Sequence, residues 1–255
     1  MQIQKVIHSS DDKDYYLDFW PIVSKIWKLK FKIEPVLIHF GIKEVSTEYG
    51  TVIRPGILPN VPINVQCQLS RYWLPLTEPD TIWMTSDIDM LPISKKYFID
   101  AISSISDDKF ISMNHDIHEH HPNINYSCCY NVAKGSTFME ILKSSHIWIE
   151  FMKGDFWKND DTNHSPNGLT EKFPHWSIDE KWSSQFINQF DRSRIVHLAR
   201  DCGKHMCRRI DRDRWKWNKE SILSEYYFDC HCIRPYANHK QEIDAIVGHI
   251  LHDSI

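Results

Sequence analysis

The segment Thr81–Pro92, TIWMTSDIDMLP, constrains the fold more than any other. Three large apolar residues, Ile82, Trp83 and Met84, lead into two carboxylates, Asp87 and Asp89, separated by Ile88. A short, continuously apolar run suits a strand buried on both faces, as in the interior of a parallel sheet. If the backbone stays extended, Asp87 and Asp89 point to one side and Ile88 returns to the core. Two carboxylates side by side resist joint ionisation unless a cation stands between them. A hard divalent ion such as Mn²⁺ or Mg²⁺ accepts such oxygens and can bridge to phosphate. The carboxyl end of a parallel strand is also where open α/β sheets bind ligands. An exposed acidic turn would carry the same letters, so the apolar run ahead of the carboxylates is what favours a binding site.

The first forty residues agree with a parallel sheet. Lys5-Val6-Ile7-His8 reads as a strand, and Ser9, Ser10, Asp11 and Asp12 suit a strand-to-helix turn with an N-cap. Phe19, Ile22, Val23, Ile26 and Trp27 recur at helical spacing over residues 15–30, with Pro21 near the start. Val36–Phe40 is the second strand, closed by Gly41. Strand, helix, strand in this rhythm is a βαβ unit. Residues 62–74 then read as a helix that carries Gln68, Ser70 and Arg71, and an arginine fork is suited to phosphate.

Composition narrows the chemistry. The formal net charge is −4, which does not suit a general nucleic-acid binder. With only 8 glycines there is no Gly-rich phosphate loop, so any phosphate must be held by metal and cationic side chains. The 7 cysteines are odd in number and irregularly spaced, which predicts reduced thiols. The first residues read as a strand and not as a signal peptide. No apolar run approaches the roughly 18 residues of a membrane span. Together these readings predict a cytoplasmic protein.

The flanks of the D-x-D stretch resemble the GT-A-type, nucleotide-sugar-dependent glycosyltransferases, and glycogenin-related enzymes in particular. The resemblance rests on element order and short motifs over about the first two hundred residues. It runs from Asp87-Ile88-Asp89 and the preceding Ser70-Arg71 pair to the helix start Trp176-Ser177-Ile178-Asp179-Glu180 and the strand Ile195-Val196-His197 followed by Lys204. It implies a Rossmann-like α/β fold, a mixed and mostly parallel sheet flanked by helices. The catalytic domain would span 1–210, with a C-terminal helical appendage, 211–255, packed on it. It implies a hexosyltransferase-type enzyme that moves a sugar from a nucleoside diphosphate sugar, a UDP-sugar by analogy, to a hydroxyl of a glycan or glycoprotein acceptor. By the same resemblance, Asp87, Asp89 and His197 are the metal ligands for Mn²⁺ or Mg²⁺. Ser9, Asp11, Arg71, Asp87 and Lys204 face the nucleotide and its phosphates, Asn131 is loosely matched to the sugar pocket, and Asp179 is the catalytic carboxylate. Ser177 followed by Glu180 also predicts a capping box at that helix start. The likeness to small glycosyltransferases of large algal DNA viruses is looser.

The third metal ligand is where the sequence departs from the pattern. The spacing after His197 is longer by about one residue, and His205-Met206 stands where Pro-Trp is expected, so His205 is a rival ligand. Ser9 and Asp11 read equally as simple turn and cap residues. Residues 148–174, rich in Asp, Asn and Gly, read as a lid or binding loop in which Phe156 and Trp157, with Trp176 just beyond, stack on sugar or pack beneath the loop. The histidine-rich stretch 114–122 reads as a solvated loop. Cys202, His205, Cys207, Cys230, His231 and Cys232 are close pairs without a common zinc spacing. Two other functions fit parts of the pattern. A polymerase-β-type nucleotidyltransferase shares D-x-D but needs a glycine turn upstream, and residues 68–80 hold no glycine. A non-catalytic carbohydrate-binding protein on the same fold would lack turnover.

Overall fold

The computed structural model describes residues 1–115, 126–143, 157–159, 163–164, 173–199 and 208–252. Strand β1 (Lys5–Asp11) and strand β2 (Glu34–Phe40) pair in parallel over their full length, Lys5 opposite Glu34 and Asp11 opposite Phe40. The crossover between them holds α1 (Asp14–Leu17), α2 (Trp20–Ile26) and a π turn (Trp27–Phe31). One helix was expected from residue 15. Instead the helix restarts so that Pro21, which has no N–H to donate, falls in the first turn of α2. Phe19, Trp20, Val23, Ile26 and Trp27 from this crossover are fully buried.

Strand β3 (Thr51–Ile53) extends the sheet beyond β2, and α3 (Ile63–Trp73) then leads to β4 (Ile82–Thr85). Strand β4 runs parallel to β1 in the middle of the sheet, as the apolar run predicted. Strand β5 (Met90–Pro92) leaves for a second sheet and is followed by α4 (Lys95–Phe98). Strands β6 (Phe110–Ser112) and β7 (Asn131–Lys134), helix α5 (Gly135–Leu142), the pair β8 (Asn163–His164) and β9 (Phe173–Pro174), helix α6 (Ile178–Ile187) and strand β10 (Ile195–His197) follow. The chain then forms β11 (Arg209–Asp211), α7 (Lys219–Leu223), β12 (Asp229–His231) and α8 (Tyr236–Ile250).

Among the described residues the main sheet has seven strands, in the order β10-β6-β7-β4-β1-β2-β3. Only β7 runs against its neighbours; the other pairings are parallel. This is a mixed, mostly parallel sheet flanked by helices, as expected. The three-stranded sheet β11-β12-β5 lies beside it. Strand β12 is parallel to β11 and antiparallel to β5, with His231 opposite Met90. Residues 211–255 therefore supply β12 as well as α7 and α8, and the pairing with β5 carries His231 to the D-x-D turn. No helix among the described residues is long and apolar enough to cross a membrane.

Candidate active site

The extended backbone expected through Asp87 and Asp89 does not form. The chain leaves β4 after Thr85 and turns, with Met90 N–H donating to the Asp87 carbonyl at 3.3 Å. The chain turns away here although β1 continues alongside to Asp11, its pairing with β4 ending at Ile7 opposite Thr85. Ser86 N–H still donates to Ile7 O at 3.0 Å, so the turn starts from a fixed point on β1. Below it, His8 is fully buried and its Nδ1 lies 3.2 Å from Asp87 O. Burial pushes the His8 imidazole down to about 3, so it stays neutral and serves as a fixed donor.

The turn opens into a cavity of about 340 Å³ that Asp87 and Asp89 both line. Ser9 and Asp11 reach it from the end of β1, Gln68 and Arg71 from α3, Cys128 from the loop before β7, and Asp179 from the start of α6. Asp11 also accepts from Lys13 N–H at 3.0 Å, so it serves the turn as well as lining the cavity.

Arg71 is the hub. Its guanidinium is buried, and Nη2 donates to Asp179 Oδ2 at 2.5 Å while Nη1 donates to Asp87 Oδ1 and to Ser86 O. The Cys128 thiol sits 3.1 Å from Nη2. Asp179 is 2% exposed. Burial pushes its carboxyl up to about 6, with Arg71 opposing and Glu180 adding to the rise. The predicted capping box is absent: Ser177 makes no side-chain cap, and Asp179 Oδ1 instead accepts from Glu180 N–H at 2.9 Å. The helix start is thereby given over to orienting Asp179.

Asp89 has a different environment. Its Oδ2 is buried without a hydrogen-bond partner, and Arg212 Nη1, His231 Nε2 and Arg234 Nε each lie 3.5 Å from it. Burial alone would raise this carboxyl, but Arg234, His231 and Arg212 hold it well below the usual carboxylate range. Arg234 is itself held between rings, its guanidinium carbon 4.9 Å from the centres of Tyr15 and Tyr16 and 5.8 Å from that of Trp176.

His197 lies elsewhere. It ends β10, the edge strand, three strand spacings from β4, or about 14 Å at roughly 4.8 Å each. It packs on His115, ring centres 3.8 Å apart, and does not line the cavity. Among the described residues, the imidazole that shares the cavity with Asp89 is His231. A signal for it was present in the sequence. The expected order of imidazole, cation, proline and aromatic recurs as His231, Arg234, Pro235 and Tyr236. Lys204 and His205 lie outside the described residues, as do Phe156, Cys202 and Cys207. Cys230, on the strand that presents His231, and Cys232, just past its end, are buried with their sulfurs 3.8 Å apart. Asn131 is buried beneath the site, donating to Tyr72 Oη at 3.0 Å and Ser127 O at 2.8 Å; Ser127 and Cys128 line the cavity in its place.

The donors present suit a hard divalent ion. Two carboxylates and an imidazole line the cavity, and one carboxylate oxygen lacks a hydrogen bond. The 3.5 Å between Asp89 Oδ2 and His231 Nε2 is near the about 3 Å that separates adjacent ligands of an octahedral ion bound at about 2.1 Å. Among the described residues no three such side chains close on one point, Asp87 being drawn to Arg71.

No protein-family model matches this sequence, and no curated protein matches it. Among solved structures, the galactosyltransferase LgtC in complex with donor and acceptor sugar analogs is similar. It has a TM-score of 0.51 and 12% identity, with 96% of this chain and 95% of that one covered. A glycosyltransferase involved in glycosylation of the major capsid of PBCV-1 matches at a TM-score of 0.48 and 10% identity, covering 95% and 99% of the two chains. The glycosyltransferase GlyE of Streptococcus pneumoniae TIGR4 matches at 0.45 and 9%, covering 99% of this chain and 53% of that one. The fold of this chain is that of the GT-A-type glycosyltransferases.

Proposed function

We propose that this protein is a glycosyltransferase that moves a sugar from a nucleoside diphosphate sugar, a UDP-sugar by analogy, to an acceptor hydroxyl. One observation carries the reading. At the carboxyl edge of a GT-A sheet, one cavity holds a carboxylate pair, a buried third carboxylate and three arginines that reach them. Asp87, Asp89 and His231 would hold Mn²⁺ or Mg²⁺, which when bound supplies charge neutralisation at the departing diphosphate. Arg234, fixed by its aromatic neighbours, and Arg212 place further positive charge beside the same oxygens.

The bond between the anomeric carbon and the β-phosphate oxygen breaks, and its electron pair leaves with the nucleoside diphosphate. The acceptor oxygen bonds to that carbon and gives up its proton. Asp179 would orient the acceptor hydroxyl, take that proton or stabilise the cation-like carbon. Arg71 holds Asp179 and Asp87 at once, so one side chain would set both the group proposed to act on the sugar and the group proposed to act at the phosphate.

Asp89→Asn tests the reading. The variant should keep the fold and lose Mn²⁺-dependent binding of a nucleoside diphosphate, because an anionic ligand is replaced by a neutral one. Calorimetry on parent and variant decides this, and equal affinities would remove the carboxylate pair from the donor site. Release of nucleoside diphosphate from a panel of sugar nucleotides, with and without Mn²⁺, identifies the donor and separates an enzyme from a binding protein.

A further inference from the structure

Strands β11 and β12 run parallel with Asp211 directly opposite His231. Asp211 Oδ2 lies 3.7 Å from His231 Nδ1, and the other ring nitrogen, Nε2, faces Asp89 Oδ2. The imidazole thus stands in line between two carboxylates. Asp211 Oδ1 accepts from Asp213 N–H at 2.9 Å as the cap of the 3₁₀ turn Arg212–Arg214, so the carboxylate cannot swing away from the ring. Asp211 is 7% exposed and does not line the cavity, so it has no path to a ligand except through His231.

A neutral imidazole carries one N–H, and its position is set by what the other nitrogen faces. A ring that donates from Nδ1 to a carboxylate leaves the Nε2 lone pair free for a metal ion, and such outer carboxylates fix ring orientation and raise ligand basicity. We infer that Asp211 is a positioning residue: it holds His231 as the Nδ1–H tautomer and aims Nε2 at the divalent-ion site beside Asp89. This rests on the reading of His231 as a ligand given above.

The test uses the full chain with Mn²⁺ and UDP as probes. Mn²⁺ affinity in the presence of UDP is read by electron paramagnetic resonance, and the His231 tautomer of the metal-free protein by ¹⁵N correlation spectra at alkaline pH. Asp211→Ala should lower Mn²⁺ affinity about 10- to 100-fold, the scale of losing an outer-shell carboxylate, and should shift His231 toward the Nε2–H form. Asp211→Asn keeps the one oxygen that caps Asp213 and turns an NH₂ donor toward Nδ1, so it should fold like the parent, favour the Nε2–H form and lose Mn²⁺ affinity as Asp211→Ala does. His231→Ala is measured in parallel. Affinity lost in His231→Ala but kept in Asp211→Ala, with the tautomer unmoved, overturns the inference alone. Affinity kept in His231→Ala overturns the ligand reading beneath it. If Asp211→Ala does not fold, Asp211→Asn decides: lowered Mn²⁺ affinity with the Nε2–H form upholds the positioning role, and parent-like affinity and tautomer overturn it.

Discussion

Arg71 joins two carboxylates that the sequence places more than ninety positions apart, and this changes what a mutation at either end should do. Asp179→Asn removes a positioned acid or base and should slow turnover at least about 10²-fold. Because Asp179 also orients Arg71, the same variant should weaken donor binding several-fold, a coupling expected of groups in one network. Steady-state rates beside a UDP–Mn²⁺ titration separate the two effects. The raised carboxyl of Asp179 also sets a pH limb. An acid with its midpoint near 6 is ionised above that pH and protonated below it, whereas an ordinary aspartate stays ionised to about 4. Turnover that requires the carboxylate should therefore fall as pH drops through about 6, and a flat profile down to pH 5 would exclude Asp179 as the base. The imidazoles give the sharpest contrast. His231→Ala should abolish most of the Mn²⁺ dependence of nucleotide binding, and His197→Ala, on a distant edge strand, should leave it near the parent value.

The elements that carry the site are short, so their placement rests on a few buried polar contacts. Strand β12 is three residues long, yet it positions His231 and ends three residues before Arg234. Its anchor is a buried, two-point pair: Arg209 Nε donates to Asp229 Oδ1 at 2.7 Å and Nη2 to Asp229 Oδ2 at 2.5 Å, with Tyr130 Oη donating to Oδ2 at 2.9 Å. Removing one partner leaves the other charge buried and uncompensated, which costs about 3–5 kcal/mol. Asp229→Ala should lower unfolding stability on that scale in urea titrations and weaken Mn²⁺ binding through β12. A loss below about 1 kcal/mol would show that apolar pairing with β5 suffices to hold the strand. On the main sheet the apolar run of β4 was legible because a strand buried on both faces needs no polar alternation. Its ending was less so, since a turn and an extended continuation share the same letters until the neighbouring strands are known.

For the molecule as a whole, the cavity lies where the main sheet meets the small sheet, so a ligand there ties the two together. Binding to the folded state alone should stabilise it by about 2.7 kcal/mol at a ligand concentration of 100 Kd. A nucleoside diphosphate with Mn²⁺ should therefore raise the melting temperature, and chelation of the ion should remove most of the rise. A nucleotide shift that survives chelation would assign the phosphate to the arginines alone. Asp89, whose charge Arg212 and Arg234 offset, is where the two outcomes diverge.

The sequence by itself determined the βαβ start, the central buried strand, the carboxylate pair at its end, the Ser70-Arg71 helix and the acid at the start of α6. Each is a local pattern of hydropathy and spacing, so each survives without knowledge of neighbours. Tertiary structure decided the rest. Ile195-Val196-His197 and Asp229-Cys230-His231 are both short strands ending in histidine, and although Arg234-Pro235-Tyr236 follows only the second, the letters alone do not set either one beside Asp89. That depends on strand order: β10 sits at the far edge of the main sheet, and β12 pairs with β5 immediately after the D-x-D turn. The same holds for Arg71 between Asp87 and Asp179, because a contact between residues distant in the chain is fixed only when the core that packs their elements has formed.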